Sequence, residues 1–484
     1  MKQTQRQLTG ASCARKMLAC LVAGIALAGC GGAGGGVTPS NAAVPVVPAA
    51  PVVPLVPVVP VVPVVVSATP VAPPAPVALT SASQMIHAQG AKWVRADGTP
   101  VLLKGVNLGN WLLNEFWMMG QGSNNIDDNC KLDAALDSRF GYAERDRLMT
   151  VFRDNWIKER DWDLMAKYGW NAVRVPFIHT VVEDEKNPRH LRADAWRYLD
   201  DAVAQAEKRG IYVILDLHGA AGSQGVEHHS GCANRNQYWS NPDYQERTIW
   251  LWQQIAARYK DRPAVAGYSL LNEPWGTSAA NLATVIGKLY EAVRAVDPNH
   301  VIILPGHNSG IAAYGNPKAA GMSNVAFEMH FYPGMFGWGE IGANVHRDWL
   351  TCGGGAASGV CEWDARIRSL DTPFFVGELQ PWAGLGADLG GQITRATFDT
   401  YGKYGWAATA WTWKLITNGG GQGAGTWGLA TNAAGKSVPK MDFTSASPAE
   451  IEALFKLFGS VEYEPQQRVM DWMTSTTAPA PFAK

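Results

Sequence analysis

The sequence predicts an α/β fold, an eight-stranded parallel (β/α)8 TIM barrel, preceded by an export signal and a proline-rich spacer. Three observations predict it. Eight short apolar runs recur between Leu102 and Trp411, amphipathic helical patterns separate them, and most runs end on a polar, titratable or aromatic residue. The runs are Leu102–Asn107, Ala172–Pro176, Tyr212–His218, Ala266–Asn272, Val301–Pro305, Val325–His330, Phe374–Glu378 and Ala407–Trp411. Among the intervening helices the clearest spans Asp194–Arg209, with Trp196, Leu199, Val203 and Ala206 at three- and four-residue spacing, Asp194 as the expected N-cap and Gly210 as terminator. A second, Gln245–Tyr259, lines up Ile249, Trp252 and Ile255 in the same way. Strands alternating with helices imply parallel β-α-β units, and eight of them imply closure. A hairpin over Ala91–Leu103, turning at Asp97-Gly98, is expected to plug the bottom of the barrel.

The N-terminal part reads differently. Residues 1–30 open with Lys2, Arg6, Arg15 and Lys16, continue through an apolar stretch from Met17 to Leu27, and end Leu27-Ala28-Gly29-Cys30. This is the layout of a cleaved export signal, and the stretch is well short of the ~20 residues that span a bilayer. Residues 31–80 are Gly-rich and then repeat Val-Pro-Val-Val-Pro units without charge from Val44 to Pro76. Proline removes backbone donors and fixes φ, so an extended polyproline spacer reaching about 100 Å is expected. The folded domain is placed at 81–475 and a flexible tail at 476–484. Four cysteines beyond Cys30 are even in number, as a disulfide framework in an exported chain would be. The short separation favours Cys352–Cys361 and leaves Cys130–Cys232. No C-x-x-C pair suggests zinc, and neither metal nor cofactor is expected. A net charge of −1 with 20 Trp and 14 Tyr argues against nucleic acid as a partner and suits sugar stacking.

In a barrel of this kind the active site collects at the C-terminal ends of the strands. Those ends carry Asn107, Arg174, His218, Asn272-Glu273, His330 with Tyr332, Glu378 and Trp411. Glu273 and Glu378 end the fourth and seventh runs, across the barrel mouth from each other. One carboxyl to protonate a leaving oxygen and one to attack is the requirement of glycoside cleavage, and a separation near ~5 Å gives retention.

The segments Lys-Gly-Val-Asn-Leu-Gly at 104–109, Asn-Ala-Val-Arg-Val-Pro at 171–176, Leu-Asp-Leu-His-Gly at 215–219, Leu-Asn-Glu-Pro at 271–274, His-Phe-Tyr at 330–332, Val-Gly-Glu at 376–378 and Trp-Thr-Trp-Lys at 411–414 together resemble glycoside hydrolase family 5. The resemblance implies a retaining hydrolase of β-glucan polysaccharide or oligosaccharide, with Glu273 as acid/base, protonated near neutral pH, and Glu378 as ionised nucleophile. It further implies Arg174 and Tyr332 beside Glu378, Asn272 on the sugar 2-hydroxyl, His218 and His330 on sugar or carboxylates, and Trp411 as stacking floor, with Trp413 as the alternative.

Gly-Asn-Trp-Leu-Leu-Asn-Glu-Phe-Trp at 109–117 and Leu-His-Gly-Ala-Ala-Gly-Ser-Gln at 217–224 are similar to the exo-β-1,3-glucanase branch, which makes Glu115 a substrate residue. Where that branch carries Asp-Asn before Ser-Gly, this chain has His228-His229. The replacement leaves linkage and exo action open, with endo-β-1,4- or mixed-linkage glucanase as the enzymatic alternative and a surface polysaccharide-binding protein as the non-enzymatic one. A metal at the two histidines is not expected, because adjacent side chains on a loop seldom point the same way. Leu-Ala-Gly-Cys resembles the bacterial lipoprotein signal, so Cys30 is expected to carry lipid and to hold a monomer to the cell envelope, at the outer membrane since no Asp follows it.

Overall fold

The computed structural model describes residues 77–122, 126–306, 308, 310–353, 359–419 and 426–477. The export signal, Cys30 and the valine-proline repeats lie outside the described residues. Packing begins just ahead of the expected boundary at Ser81: Leu79 is buried, and its N–H donates to Glu207 O at 3.0 Å.

A two-stranded hairpin, β1 (Ile86–Gln89) and β2 (Lys92–Arg95), comes first. It turns at Gly90-Ala91, earlier than the expected turn at Asp97-Gly98. That second turn also forms, with Gly98 N–H on Arg95 O, but it closes only a single bridge between Val94 and Pro100. Trp93 is buried and donates from Nε1 to Phe374 O at 3.0 Å, fixing the hairpin to the barrel.

The barrel strands are β3 (Lys104–Asn107), β4 (Ala172–Ile178), β5 (Tyr212–Gly219), β6 (Val265–Ser269), β7 (Val301–Pro305), β8 (Val325–Phe331), β9 (Phe374–Leu379) and β10 (Ala407–Ala410). They close in that order, all parallel, with β10 returning to β3. Each predicted run corresponds to one strand. β6 ends at Ser269, three residues short of the expected Asn272, whereas β4 outlasts its expected end at Pro176. It runs on to Ile178, whose N–H reaches Leu112 O at 3.1 Å. By the two-residue period the Pro176 nitrogen points to that same side, where β3 has already ended at Asn107, so no ladder bond is forfeited.

The helices are α1 (Asn129–Phe140), α2 (Tyr142–Trp156), α3 (Glu159–Lys167), α4 (Arg197–Glu207), α5 (Pro242–Tyr259), α6 (Ala279–Arg294), α7 (Ala343–Thr351), α8 (Gly359–Leu370), α9 (Ala387–Lys403), α10 (Pro448–Ser460) and α11 (Gln467–Thr474). α4 starts later than the sequence suggests. Asp194 does not cap it with its side chain, because that carboxylate is engaged by Arg192 Nε at 2.7 Å, and the N-cap is Trp196. α5 starts three residues earlier than expected, with Asn241 as N-cap and Pro242 in the first turn, both favourable there. Between β7 and β8 the described residues hold only a 3-10 turn, Ala312–Tyr314, in place of a helix.

After β10 the chain builds a small sheet, β11 (Lys414–Leu415), β12 (Ala430–Asn432) and β13 (Tyr463–Pro465). α10 packs on α2 through Phe152, whose ring centroid lies 5.3 Å from that of Phe455 and 5.8 Å from that of Phe458. Lys414 is buried between the barrel and this extension, donating to Trp156 O at 2.7 Å and Phe458 O at 2.9 Å.

Candidate active site

Inward side chains at the C-terminal end of the barrel converge on Arg174, which is fully buried on β4. Its Nη1 donates to Asn107 Oδ1 at 3.1 Å and to Glu378 Oε1 at 3.0 Å, and its Nη2 donates to Asn272 Oδ1 at 2.7 Å. Nη2 also lies 3.1 Å from Asp216 Oδ1, and Nε lies 3.1 Å from Glu328 Oε1. One guanidinium thus faces three buried carboxylates. Burial alone would weaken its hold on the proton, but Asp216, Glu328 and Glu378 reverse this and raise it.

Asp216 and Glu328 were not singled out from the sequence. Each stands two residues before a histidine of the site, on the same strand face: Asp216 Oδ2 accepts from His218 Nδ1 at 2.7 Å, and Glu328 Oε1 accepts from His330 Nε2 at 3.2 Å. The two-residue period from His218 and His330 is the signal that would have found them. Asn272 Nδ2 lies 3.2 Å from His218 Nε2, so a neutral His218 protonated at Nδ1 satisfies both contacts. Gly377 explains part of Val-Gly-Glu: a Cβ there would overlap the Glu328 carboxylate and crowd His330 Nε2.

Glu273 sits just past β6 with φ of 39°, a left-handed conformation that a non-glycine residue adopts at a cost of about 1–3 kcal/mol and that clusters at functional sites. Its Oε1 accepts from His330 Nδ1 at 2.7 Å, while Oε2 lies 3.3 Å from His229 Nε2. Glu378 Oε2 accepts from Tyr332 OH at 2.6 Å and lies 3.5 Å from His330 Nδ1. An oxygen of Glu273, an oxygen of Glu378 and a nitrogen of His330 lie within 4.8 Å of one another. That spacing could bracket a cation. With both ring nitrogens donating to carboxylates, however, His330 is an imidazolium without a lone pair to offer.

Burial favours a neutral His330, but Glu378, Glu273 and Glu328 outweigh it and push its pKa up to about 10. Burial likewise pushes the Glu273 carboxyl up, but His229 and His330 outweigh it and hold it down at about 2. At Glu378 burial prevails over the pull of His330 and Arg174, helped by the Glu273 charge, and the carboxyl is raised. The two imidazoles thus act on Glu273 against the protonation that the resemblance implies for it, and burial acts on Glu378 against its ionisation.

Around these groups stands a rim. Glu115 is buried, and its Oε2 accepts from Trp117 Nε1 at 2.7 Å and lies 3.3 Å from His228 Nε2. His228 and His229 both face the site, one toward Glu115 and the other toward Glu273, contrary to the expectation that neighbours on a loop diverge. They manage it because the turn His228–Ser230 runs between the two acids. Trp411 stacks on His218 with ring centroids 5.5 Å apart and planes 10° from parallel. Trp413, the alternative floor, is buried away from the rim and donates from Nε1 to Asp161 Oδ1 at 2.8 Å. Trp117, Trp275 and Trp427 contribute aromatic surface that sequence reasoning did not assign.

The four cysteines form Cys130–Cys232 and Cys352–Cys361, with Cα–Cα distances of 5.1 and 6.0 Å. The first ties the N-terminus of α1 to the loop carrying His228 and His229, where Cys130 N–H also donates to Gly231 O at 3.1 Å.

The sequence profile described as Cellulase (glycosyl hydrolase family 5) matches residues 143–415. A protein named Beta-xylosidase from Phanerodontia chrysosporium is 31% identical over 256 residues, covering 52% of this chain and 52% of that protein. One named Probable glucan 1,3-beta-glucosidase A from Neosartorya fischeri is 26% identical over 291 residues, covering 59% of this chain and 66% of that protein. The chain thus spans between half and two thirds of the length of these relatives. Among solved structures, the rutinosidase from Aspergillus niger superposes with a TM-score of 0.54 at 18% identity, over 71% of this chain and 94% of that one, a likeness of fold.

Proposed function

From the premise that the chain belongs to glycosyl hydrolase family 5, we propose that it is a retaining glycoside hydrolase that cleaves β-glucosidic bonds, in the manner of an exo-β-1,3-glucanase. The observation that carries the reading is the approach of Glu273 and Glu378, whose oxygens lie within 4.8 Å. Direct attack with retention uses carboxyls about 5–5.5 Å apart, whereas inversion leaves about 6.5–9.5 Å for a water. Glu378 attacks the anomeric carbon while Glu273 gives a proton to the departing glycosidic oxygen. A covalent glycosyl-Glu378 forms, and Glu273 then removes a proton from the water that cleaves it. Arg174 and Tyr332, on opposite oxygens of Glu378, aim the nucleophile. Asn272, held by Arg174, presents its amide to the 2-hydroxyl, Trp411 is the floor under the sugar, His218 and His330 line its edge, and Glu115 binds the terminal hydroxyls.

β-1,3 linkage is supported by the name of the Neosartorya relative and by the 109–117 segment. The Beta-xylosidase name favours β-xylosides as the second reading. A binding protein without turnover is disfavoured by the presence of both carboxylates. The two disulfides support export. Lipidation of Cys30, with the Val-Pro repeats as spacer, completes the proposal. Cys30→Ala should free the exported protein from the membrane, and a membrane-bound variant would overturn the anchor.

The deciding experiment compares hydrolysis of laminarin, carboxymethylcellulose and aryl β-xyloside by the purified chain, with Glu378→Gln as blank. Laminarin turnover absent from the blank supports the reading. Turnover that persists in the blank removes Glu378 from its role, and turnover of carboxymethylcellulose or xyloside alone replaces the substrate.

A further inference from the structure

The contacts around the floor of the site form an unbroken circuit. Glu273 meets His330 at 2.7 Å, His330 lies 3.5 Å from Glu378, and Glu378 meets Tyr332 at 2.6 Å. The Tyr332 ring packs against Trp427 at 5.6 Å between centroids, and Trp427 against Trp117 at 5.6 Å. Trp117 bonds Glu115 at 2.7 Å, and Glu115 lies 3.3 Å from His228. The His228 and His229 rings are 5.6 Å apart, and His229 returns to Glu273 at 3.3 Å. Trp411, the proposed floor, stacks on His218 with ring centroids 5.5 Å apart. A cleft that accepts an internal stretch of polysaccharide must be open on two opposite sides of this floor. A closed collar admits a sugar only from above, as a chain end.

We propose that His228 and His229 are the segment that closes the collar, and that they confine the enzyme to the terminal residue of a glucan chain. The proposal rests on the glycoside hydrolase reading above and assigns a determinant of substrate specificity within it. The wall they make is fixed in place. Ser230 Oγ donates to Glu227 O at 2.7 Å, and Ala233 N–H donates to Asp128 Oδ2 at 3.0 Å. Gly231 takes φ of 91° where a Cβ would press on Ile178 Cδ1. The Cys130–Cys232 disulfide ties the same loop to α1.

The wall also has something to offer a sugar. His229 Nδ1 is buried without a hydrogen-bond partner among the described residues. On the side where the leaving group departs over Glu273, Trp275 is 44% exposed with its ring 6.4 Å from His229, a stacking surface for the next residue outside the collar.

The test uses laminarin and laminarin whose non-reducing ends have been opened by periodate. Internal 1,3-linked units lack adjacent free hydroxyls and survive this treatment, so only chain ends are lost. The full chain should release monosaccharide alone from laminarin and attack the end-oxidised polymer at least about tenfold more slowly, the scale of discrimination that steric fit supplies.

His228→Ala, which leaves Glu273 and its contacts in place, should release di- and oligosaccharides and gain most of that tenfold on the end-oxidised polymer. Its urea unfolding midpoint, matched to that of the unaltered chain, shows that it is folded. His228→Phe, which keeps the bulk of the wall and deletes the imidazole, should retain release of monosaccharide alone. Oligosaccharides from the unaltered chain, or a His228→Ala variant that still yields monosaccharide alone, overturn the proposal. Aryl β-glucoside turnover without any action on laminarin is a different failure: it overturns the glucan reading beneath this one.

Discussion

Arg174→Met would test whether the buried charge network holds the site together. The substitution keeps much of the side-chain length but removes three nitrogens that face Glu378, Asp216 and Glu328 at 3.0, 3.1 and 3.1 Å. All three carboxylates are buried, so water cannot replace the guanidinium. Removing one partner of a buried ion pair typically costs about 3–5 kcal/mol, because it strands the other charge. Three stranded charges would suggest a multiple of this, but each carboxylate keeps a second donor: His218 for Asp216, Ser269 and His330 for Glu328, Tyr332 for Glu378. The expected loss is therefore about 3–5 kcal/mol in all, a large share of the roughly 5–15 kcal/mol that holds a domain folded. The pH dependence has a definite sign. Without the cation the Glu378 carboxyl, already raised by burial above its unfolded value, loses one of the charges that hold it down and rises further. The folded variant then binds more protons than the unfolded one, and its deficit shrinks as pH falls. Urea unfolding of both proteins at pH 7 and pH 5 measures this. A variant within about 1 kcal/mol of the unaltered protein at pH 7, or a deficit equal at the two pH values, would refute the reasoning.

Further outcomes follow from other parts of the structure. Glu273→Ala should slow oligosaccharides far more than aryl glycosides with activated leaving groups, and azide should restore turnover with a β-glycosyl azide as product; equal losses on both substrates would remove Glu273 from the acid/base role. Of the two disulfides, Cys130–Cys232 closes a loop of 102 residues and Cys352–Cys361 one of 9. Loop-closure entropy therefore makes the first more stabilising by about 2 kcal/mol, to be read from unfolding of the paired Cys→Ser variants, and the opposite ranking would count against it. Burial holds the Lys414 ammonium down at about 8 from its ordinary 10.5. The folded state thus bears a penalty below pH 8 that disappears as both states lose the proton. Relative to Lys414→Met, the unaltered protein should gain up to about 3 kcal/mol of stability between pH 8 and 10.5, whereas parallel pH profiles would show that the group is not strained.

The barrel was legible because each buried strand is a short apolar run ending in a different kind of residue, and that contrast survives without any knowledge of pairing. Glu273, Glu378, Arg174, His218, Asn272, His330, Tyr332 and Trp411 all come from such ends or the residues just beyond, and the structure brings them together. Asp216 and Glu328 were hidden because they lie within runs that otherwise read as core, where a carboxylate has meaning only once Arg174 is known to face it. Trp411 and Trp413 share a parity and so looked interchangeable, but the chain has left the barrel by Trp413, whose indole is claimed by Asp161. The direction of His228 and His229 depends on Glu115 and Glu273 flanking one turn, a relation between segments far apart in sequence that no local pattern encodes. The same holds for the pull on Glu273 and the rise of Glu378, which depend on which imidazole touches which oxygen.

These directions bear on the proposed chemistry. Retaining cleavage needs a proton on Glu273 and none on Glu378, whereas His229 and His330 hold Glu273 down and burial raises Glu378. His229 Nε2 sits 3.3 Å from Glu273 Oε2. A sugar in the site excludes water from Glu273, and that desolvation raises its carboxyl toward the protonated state the proposed chemistry needs. Carbon-13 NMR of the glutamate carboxyls, free and with a non-hydrolysable thioglucoside bound, should show the Glu273 signal pass from ionised to protonated near neutral pH. A Glu273 that stays ionised in the complex would mean that the proton reaches the leaving oxygen by another path, with the His330 imidazolium, hydrogen-bonded to Glu273 at 2.7 Å, as the nearest source.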